Sequence, residues 1–120
     1  MTMDSPAFAR AFDLAKQSVL LVERFPRHRR AVLGRRLEEQ SLVLHEALTR
    51  AARAQRSGDL GVARAALDDA DVALMAWSFA LRLAGDCGLV SVGQQGELAR
   101  LQAEIGRLIG GWARKLKPGP

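Results

Sequence analysis

LGVARAALDDADVALMAWSFALRLA, residues 60–84, decides how this 120-residue chain folds. Leu60, Ala63, Leu67, Ala70, Leu74, Trp77, Leu81 and Ala84 step by three and four without exception. With 3.6 residues per helical turn, such steps line side chains along a single stripe. The stretch is therefore predicted to be a long amphipathic helix with one face in a core. Asp59 suits its N-cap, and Gly85 and Gly88 suit its end, because glycine tolerates the left-handed angles found there.

The flanking sequence repeats the pattern. Downstream, Ser91 and Gln94 form a capping-box pair ahead of Leu98, Leu101, Ile105, Leu108 and Trp112. Upstream, Leu33, Leu37, Gln40, Leu44, Leu48 and Ala51 form a stripe weakened by Gln40 and closed by Ser57-Gly58. Gly34 lies inside this helix at a cost of about 1 kcal/mol against alanine, which points to a kink or a close neighbour. The first stripe reads Phe8, Phe12, Ala15, Val19 and Val22, opened by Ser5-Pro6 and ended by Phe25-Pro26. Helices at about 5–24, 27–55, 59–85 and 91–114, with a flexible tail at 116–120, leave only short connections. Short connections make consecutive helices antiparallel neighbours. The expected fold is all-α, a single up-down-up-down four-helix bundle over residues 1–120.

Composition agrees. Tyrosine is absent and aromatic residues are few, which favours helix over sheet. The single cysteine, Cys87, excludes an intramolecular disulfide framework and fits a reducing cytoplasm. No apolar run approaches the 18 residues of a membrane span, and no signal peptide precedes the first helix.

Charge is concentrated in one place. RFPRHRRAVLGRR, residues 24–36, holds six arginines and no acid, and with Glu23 it carries +5, equal to the net charge of the whole chain. Arginine forks match phosphate oxygens two at a time, so Arg27, Arg29, Arg30, Arg35 and Arg36 are candidate phosphate contacts, with His28 among them as a further donor. Arg114 and Lys115 add a second basic patch. In an antiparallel bundle it falls at the opposite end, some 30 Å away along a helix of about 20 residues.

Catalytic and metal-binding patterns are missing. His28 and His45 are too far apart to share a ligand, and Glu46 beside His45 points elsewhere. Asp68, Asp69 and Asp71 lack the Glu-x-x-His pairs of a di-metal bundle and read as a solvated face or as partners for arginines. Cys87 has no nearby base, and Trp77 and Trp112 lie on core stripes. Gly106 and Gly110 would let another helix approach, or Gly110-Gly111 would end the last helix early. No cofactor, metal or enzymatic activity is expected.

Three strings carry a family resemblance. FPRHRRAVLGRR at the first turn, LRLAGDCGLVS at the third and EIGRLIGGW on the last helix resemble the Avd proteins, the accessory variability determinants of diversity-generating retroelements. The likeness runs from about residue 10 to 115, and the wider relatives are four-helix-bundle proteins of ribosomal-RNA intervening sequences. The resemblance implies a basic homopentamer that binds RNA or DNA with little sequence preference. It also implies association with a reverse transcriptase during mutagenic copying. Arg82 and Arg107 fall in matched strings and are the expected partner contacts or barrel-lining residues. Ser78 stands where family members often carry another arginine. The competing expectation is an oligomeric interaction module with no nucleic-acid role, its arginines paired with the helix-three aspartates of a neighbour.

Overall fold

The computed structural model describes residues 5–116, and every regular element among them is helical. Helix α1 (Pro6–Val22) is followed by a single turn, α2 (Arg27–Arg29), which runs through a π-helical segment (Arg30–Gly34) into α3 (Arg35–Arg56). Helices α4 (Leu60–Asp86) and α5 (Val92–Lys115) complete a body of 50 × 23 × 21 Å.

Local chemistry sets most boundaries. Asp59 Oδ1 accepts from the Val62 N–H and Ser91 Oγ from the Gln94 N–H, both at 3.1 Å, so one exposed donor at each helix start gains a partner, as expected of Asp59 and of the serine half of the capping box. Helices α3 and α4 end alike, on Gly58 (φ +83°) and Gly88 (φ +76°). In each case the glycine N–H and the next residue's N–H return to carbonyls of the last turn: Gly58 to Gln55 and Asp59 to Ala54, Gly88 to Gly85 and Leu89 to Ala84. This paired closure needs the left-handed residue that glycine supplies. Gly85 stays inside α4, where an added Cβ would collide with the Gln95 side chain. Gly110 and Gly111 likewise remain helical. Ser5 departs from its expected capping role. Its hydroxyl finds no partner among the described residues, and its carbonyl instead accepts from Phe8 and Ala9.

Each long helix packs against two others: α1 and α4 both adjoin α3 and α5, leaving α1 diagonal to α4. The end of α5 lies beside the start of α1, where the Phe8 and Trp112 rings meet at 6.4 Å. It also lies beside the end of α3, where Trp112 Nε1 donates to Gln55 Oε1 at 2.8 Å, and the start of α4, where Arg64 donates to the Leu116 carbonyl at 2.8 Å. Leu116 is buried, so the expected tail gives its first residue to the core; residues 117–120 lie outside the described residues.

The core stripes match best on α4, where Ala63 through Ala84 are buried and only Leu60 is exposed. On α3, Ser41 is buried in place of Gln40; on α5, Ile109 joins Leu98, Ile105 and Trp112. Helix α1 is turned from its expected face. Phe12 is 67% and Val19 46% exposed, whereas Ala7, Ala11, Leu14, Ser18 and Leu21 point inward beside Phe8 and Val22. Both faces keep helical spacing, and a polar bond distinguishes them. Trp77, fully buried on α4, reaches across the diagonal to donate its indole N–H to Ser18 Oγ at 2.9 Å, while Ser18 donates to the Leu14 carbonyl at 2.7 Å.

Replacing Ser18 with alanine should strand the Trp77 N–H in the core and cost about 1–3 kcal/mol in urea or thermal unfolding. In a Trp77→Phe background the same change should cost far less, and equal losses in both backgrounds would exclude the bond as the source.

Candidate nucleic-acid interface

The basic turn is built on an apolar floor. Phe25 is 1% exposed and anchors the chain as it leaves α1. The Pro26 carbonyl accepts from Arg29 and Arg30, starting the α2 turn. The turn then widens: the Arg35 N–H donates to the Arg30 carbonyl five residues back. Gly34 explains why a residue without a side chain sits here. A Cβ on it would lie 2.6 Å from Val22 Cγ1, so α1 and the π-helical segment touch through bare backbone. Leu33 and Gly34 face inward, and Arg27, His28, Arg29, Arg30, Arg35 and Arg36 remain on the outside.

Among the described residues, no acidic side chain comes within ion-pair distance of Arg27, Arg29, Arg30 or Arg36. Arg35 pairs weakly with Glu39 at 3.6 Å, one turn away on an exposed surface. Arg30 has a structural task as well, its Nε donating to the Phe25 carbonyl at 2.9 Å. Arg27, Arg29 and Arg36 are thus the arginines with most freedom to meet an anion. The turn leans on the end of α4, where a shallow cavity of about 280 Å³ is lined by His28, Arg29, Val32, Leu33, Leu83 and Cys87. A neighbouring cavity of about 340 Å³ joins Arg36 to Val32, Phe79 and Leu83. Arg82 borders a third with Phe79, Leu83 and Asp86, so it lies at the same end as the basic turn. Arg107 does not: it is exposed on α5 next to Gly106, which faces Leu74 near the middle of α4.

A second basic pole occupies the other end. Arg114 and Lys115 are exposed in the last turn of α5, and Arg53 and Arg56 are exposed in the last turn of α3. The Trp112–Gln55 and Arg64–Leu116 bonds hold these segments together, with Arg64 covering a helix C-terminus. Arg53, Arg56 and Arg64 escape a sequence search for charge runs because three separate segments supply the pole. Listing charges by helix end would have found them.

The remaining candidates have ordinary surroundings. Asp68, Asp69 and Asp71 are exposed, and Asp69 pairs with Arg50 of the adjacent helix at 3.7 Å. His45 meets the Phe8 ring edge-on at 5.9 Å. A Cβ on Gly106 would make an ordinary 3.8 Å contact with Leu74, so no unusually close helix approach depends on it. Among the described residues no group of three or more His, Cys, Asp or Glu side chains is arranged to hold a metal ion, and no helix is long and apolar enough to cross a membrane.

The family model described as bAvd-like matches residues 9–116, from the first turns of α1 through the buried Leu116. The chain belongs to the bAvd-like family. Among curated proteins none matches it. Membership fits the general accessory role of Avd proteins. The match takes in both basic poles of this bAvd-like chain. It also takes in α4, where Ser78 is half-buried one turn before the exposed Arg82.

Gly34→Ala tests how the basic turn is held. Alanine should gain up to about 1 kcal/mol as a helix former but lose about 1–3 kcal/mol by crowding Val22, whose branched side chain has little rotamer freedom. Net destabilisation is expected in thermal unfolding, with the sign reversed in a Val22→Ala background. Arg29→Ala should stay within about 0.5 kcal/mol of the parent.

Proposed function

We propose that this chain is a nucleic-acid-binding accessory protein of a diversity-generating retroelement. It holds template RNA or cDNA beside a reverse transcriptase and catalyses nothing itself. The observation that carries the reading is the outward-facing set Arg27, Arg29 and Arg36, with no acidic side chain among the described residues close enough to neutralise it. Family membership supports the accessory role. Phosphate contacts would come from Arg27, His28, Arg29, Arg30, Arg35 and Arg36 at one pole and from Arg114 and Lys115 at the other. Arg82 and Arg107 would meet the polymerase or neighbouring copies. The protein would work in the cytoplasm as a homo-oligomer, five copies on the family resemblance. Its protomer would be a single up-down-up-down antiparallel bundle, a topology supported by the meeting of the α5 end with the starts of α1 and α4.

A second reading, an interaction module that never meets nucleic acid, draws support from the Arg50–Asp69 pair and from the large apolar side chains on the surface. Salt separates the two. Engagement of about six phosphates should cost on the order of a thousandfold in affinity for labelled RNA or DNA between 50 and 200 mM salt. Replacing Arg29 and Arg36 with glutamine should weaken both ligands alike and flatten that dependence. Binding indifferent to salt, or no binding at low salt, would favour the second reading.

A further inference from the structure

Helices α3 and α4 carry their arginines near their ends and their acids between. Arg36 lies in the first turn of α3, and Arg56 closes it about 30 Å further along the helix. On α4, Arg64 near the start and Arg82 near the end repeat this order. Between these limits, residues 37–52 and 65–81 hold Glu38, Glu39, Glu46, Asp68, Asp69 and Asp71 against one arginine, Arg50, a formal net charge of −5. All of these acids except Glu38 are exposed, and Arg50 is itself paired with Asp69. The other two long helices offer no basic path between the poles. On α1, Arg10 pairs with Asp13 at 2.9 Å, and the charges of α5 alternate as Glu97, Arg100, Glu104 and Arg107 before its last turn.

A phosphate backbone seated at one pole is therefore cut off from the other. The gap of about 30 Å is three to four times the screening length of about 8 Å at physiological salt. A strand laid across it on the α3–α4 side would pass over charges of its own sign. Each pole, by contrast, is complete in itself. Arg27, Arg29 and Arg36 at the first, and Arg53, Arg56 and Arg114 at the second, are exposed, and among the described residues none of them has an ion-pair partner.

We propose that the chain bridges two nucleic-acid segments, one held at each pole, and so ties separate strands together instead of tracking along one. The inference rests on the nucleic-acid binding proposed above and adds a bridging activity to it. Contacts from arginine to phosphate carry no base information, so the two segments need share no sequence and can belong to two molecules or to distant stretches of one. Held at opposite ends of a body 50 Å long, each segment raises the local concentration of the other, with no contact between the poles themselves. The buried core makes the spacing rigid. Arg64, half-buried and bonded to the Leu116 carbonyl, fixes the second pole without spending its charge on a strand.

The test is capture of a labelled RNA hairpin by an immobilised one of unrelated sequence, through the full chain at low salt. Stems of about six base pairs, roughly 20 Å at 3.4 Å per pair, are shorter than the gap and occupy one pole each. Binding of a single hairpin is read separately by fluorescence anisotropy, and melting curves establish that each variant is folded. The parent should capture the second hairpin, and capture should peak and then fall in excess protein, when every hairpin occupies a chain of its own. Arg29→Gln with Arg36→Gln, and Arg53→Gln with Arg56→Gln, should each cut capture about tenfold or more at equal protein loading, while the intact pole still binds one hairpin. Lys16→Gln with Arg50→Gln removes the same charge from the middle of the body and should leave capture within about twofold of the parent. Hairpin binding without capture, capture undiminished when one pole is neutralised, an equal loss in the mid-body variant, or capture that only rises with protein would overturn the bridging and leave the binding intact. A parent that binds no hairpin would overturn the binding itself, and the bridging with it.

Discussion

The indole of Trp77 must find an acceptor in a core with almost no polar atoms, and the bond it makes to Ser18 determines the placement of α1. Apolar area alone does not settle that placement, because α1 carries large apolar residues on two faces: Phe12 with Val19, and Leu14 with Leu21. Turning α1 by one residue, about 100°, would bury Phe12 but strand the Trp77 N–H at about 1–3 kcal/mol. Only the observed face brings the Ser18 hydroxyl to the indole while its own proton goes to the Leu14 carbonyl. The same bond sets the axial level of α1 against α4, and hence where α1 ends and the basic turn begins.

From that level the turn is assembled by contacts that neutral residues make. Phe25 is drawn inward, Val22 closes on the bare backbone of Gly34, and Arg30 ties itself to the Phe25 carbonyl. Pinned from beneath, the turn holds its other arginines at the surface, where water screens their mutual repulsion. Opposite it, the helix ends joined by Trp112 and Arg64 gather a second group of cations. Each group lies at a pole of an elongated body, which gives the protein two separate basic surfaces instead of one.

Much of this was legible in the residues. The α4 stripe, the Asp59 and Ser91 caps and the Ser57-Gly58 break each rest on a local rule acting within a few residues, and each appears in the structure. Gly34 announced a close neighbour, and Val22 is that neighbour. What stayed hidden depends on separated residues. The inward face of α1 depends on Trp77, 59 positions away. The burial of Leu116 depends on Arg64 and α4, and the second basic pole depends on three helix ends meeting. A capping oxygen at Ser5 was reasonable by type, but the hydroxyl does not reach the amides while the carbonyl does.

Hydrogen bonds that side chains make across the described residues join positions 52, 57 and 59 apart, at Arg64–Leu116, Gln55–Trp112 and Ser18–Trp77, and the first two end on the last turn of α5 or just beyond it. A chain emerging from the ribosome can wind α1, α3 and α4 as it appears, but Gln55 and Arg64 must wait for Trp112 and Leu116. That end of the bundle therefore closes only after α5 has appeared. The second basic pole is finished only once α5 is present, whereas the turn between α1 and α3 can form before it.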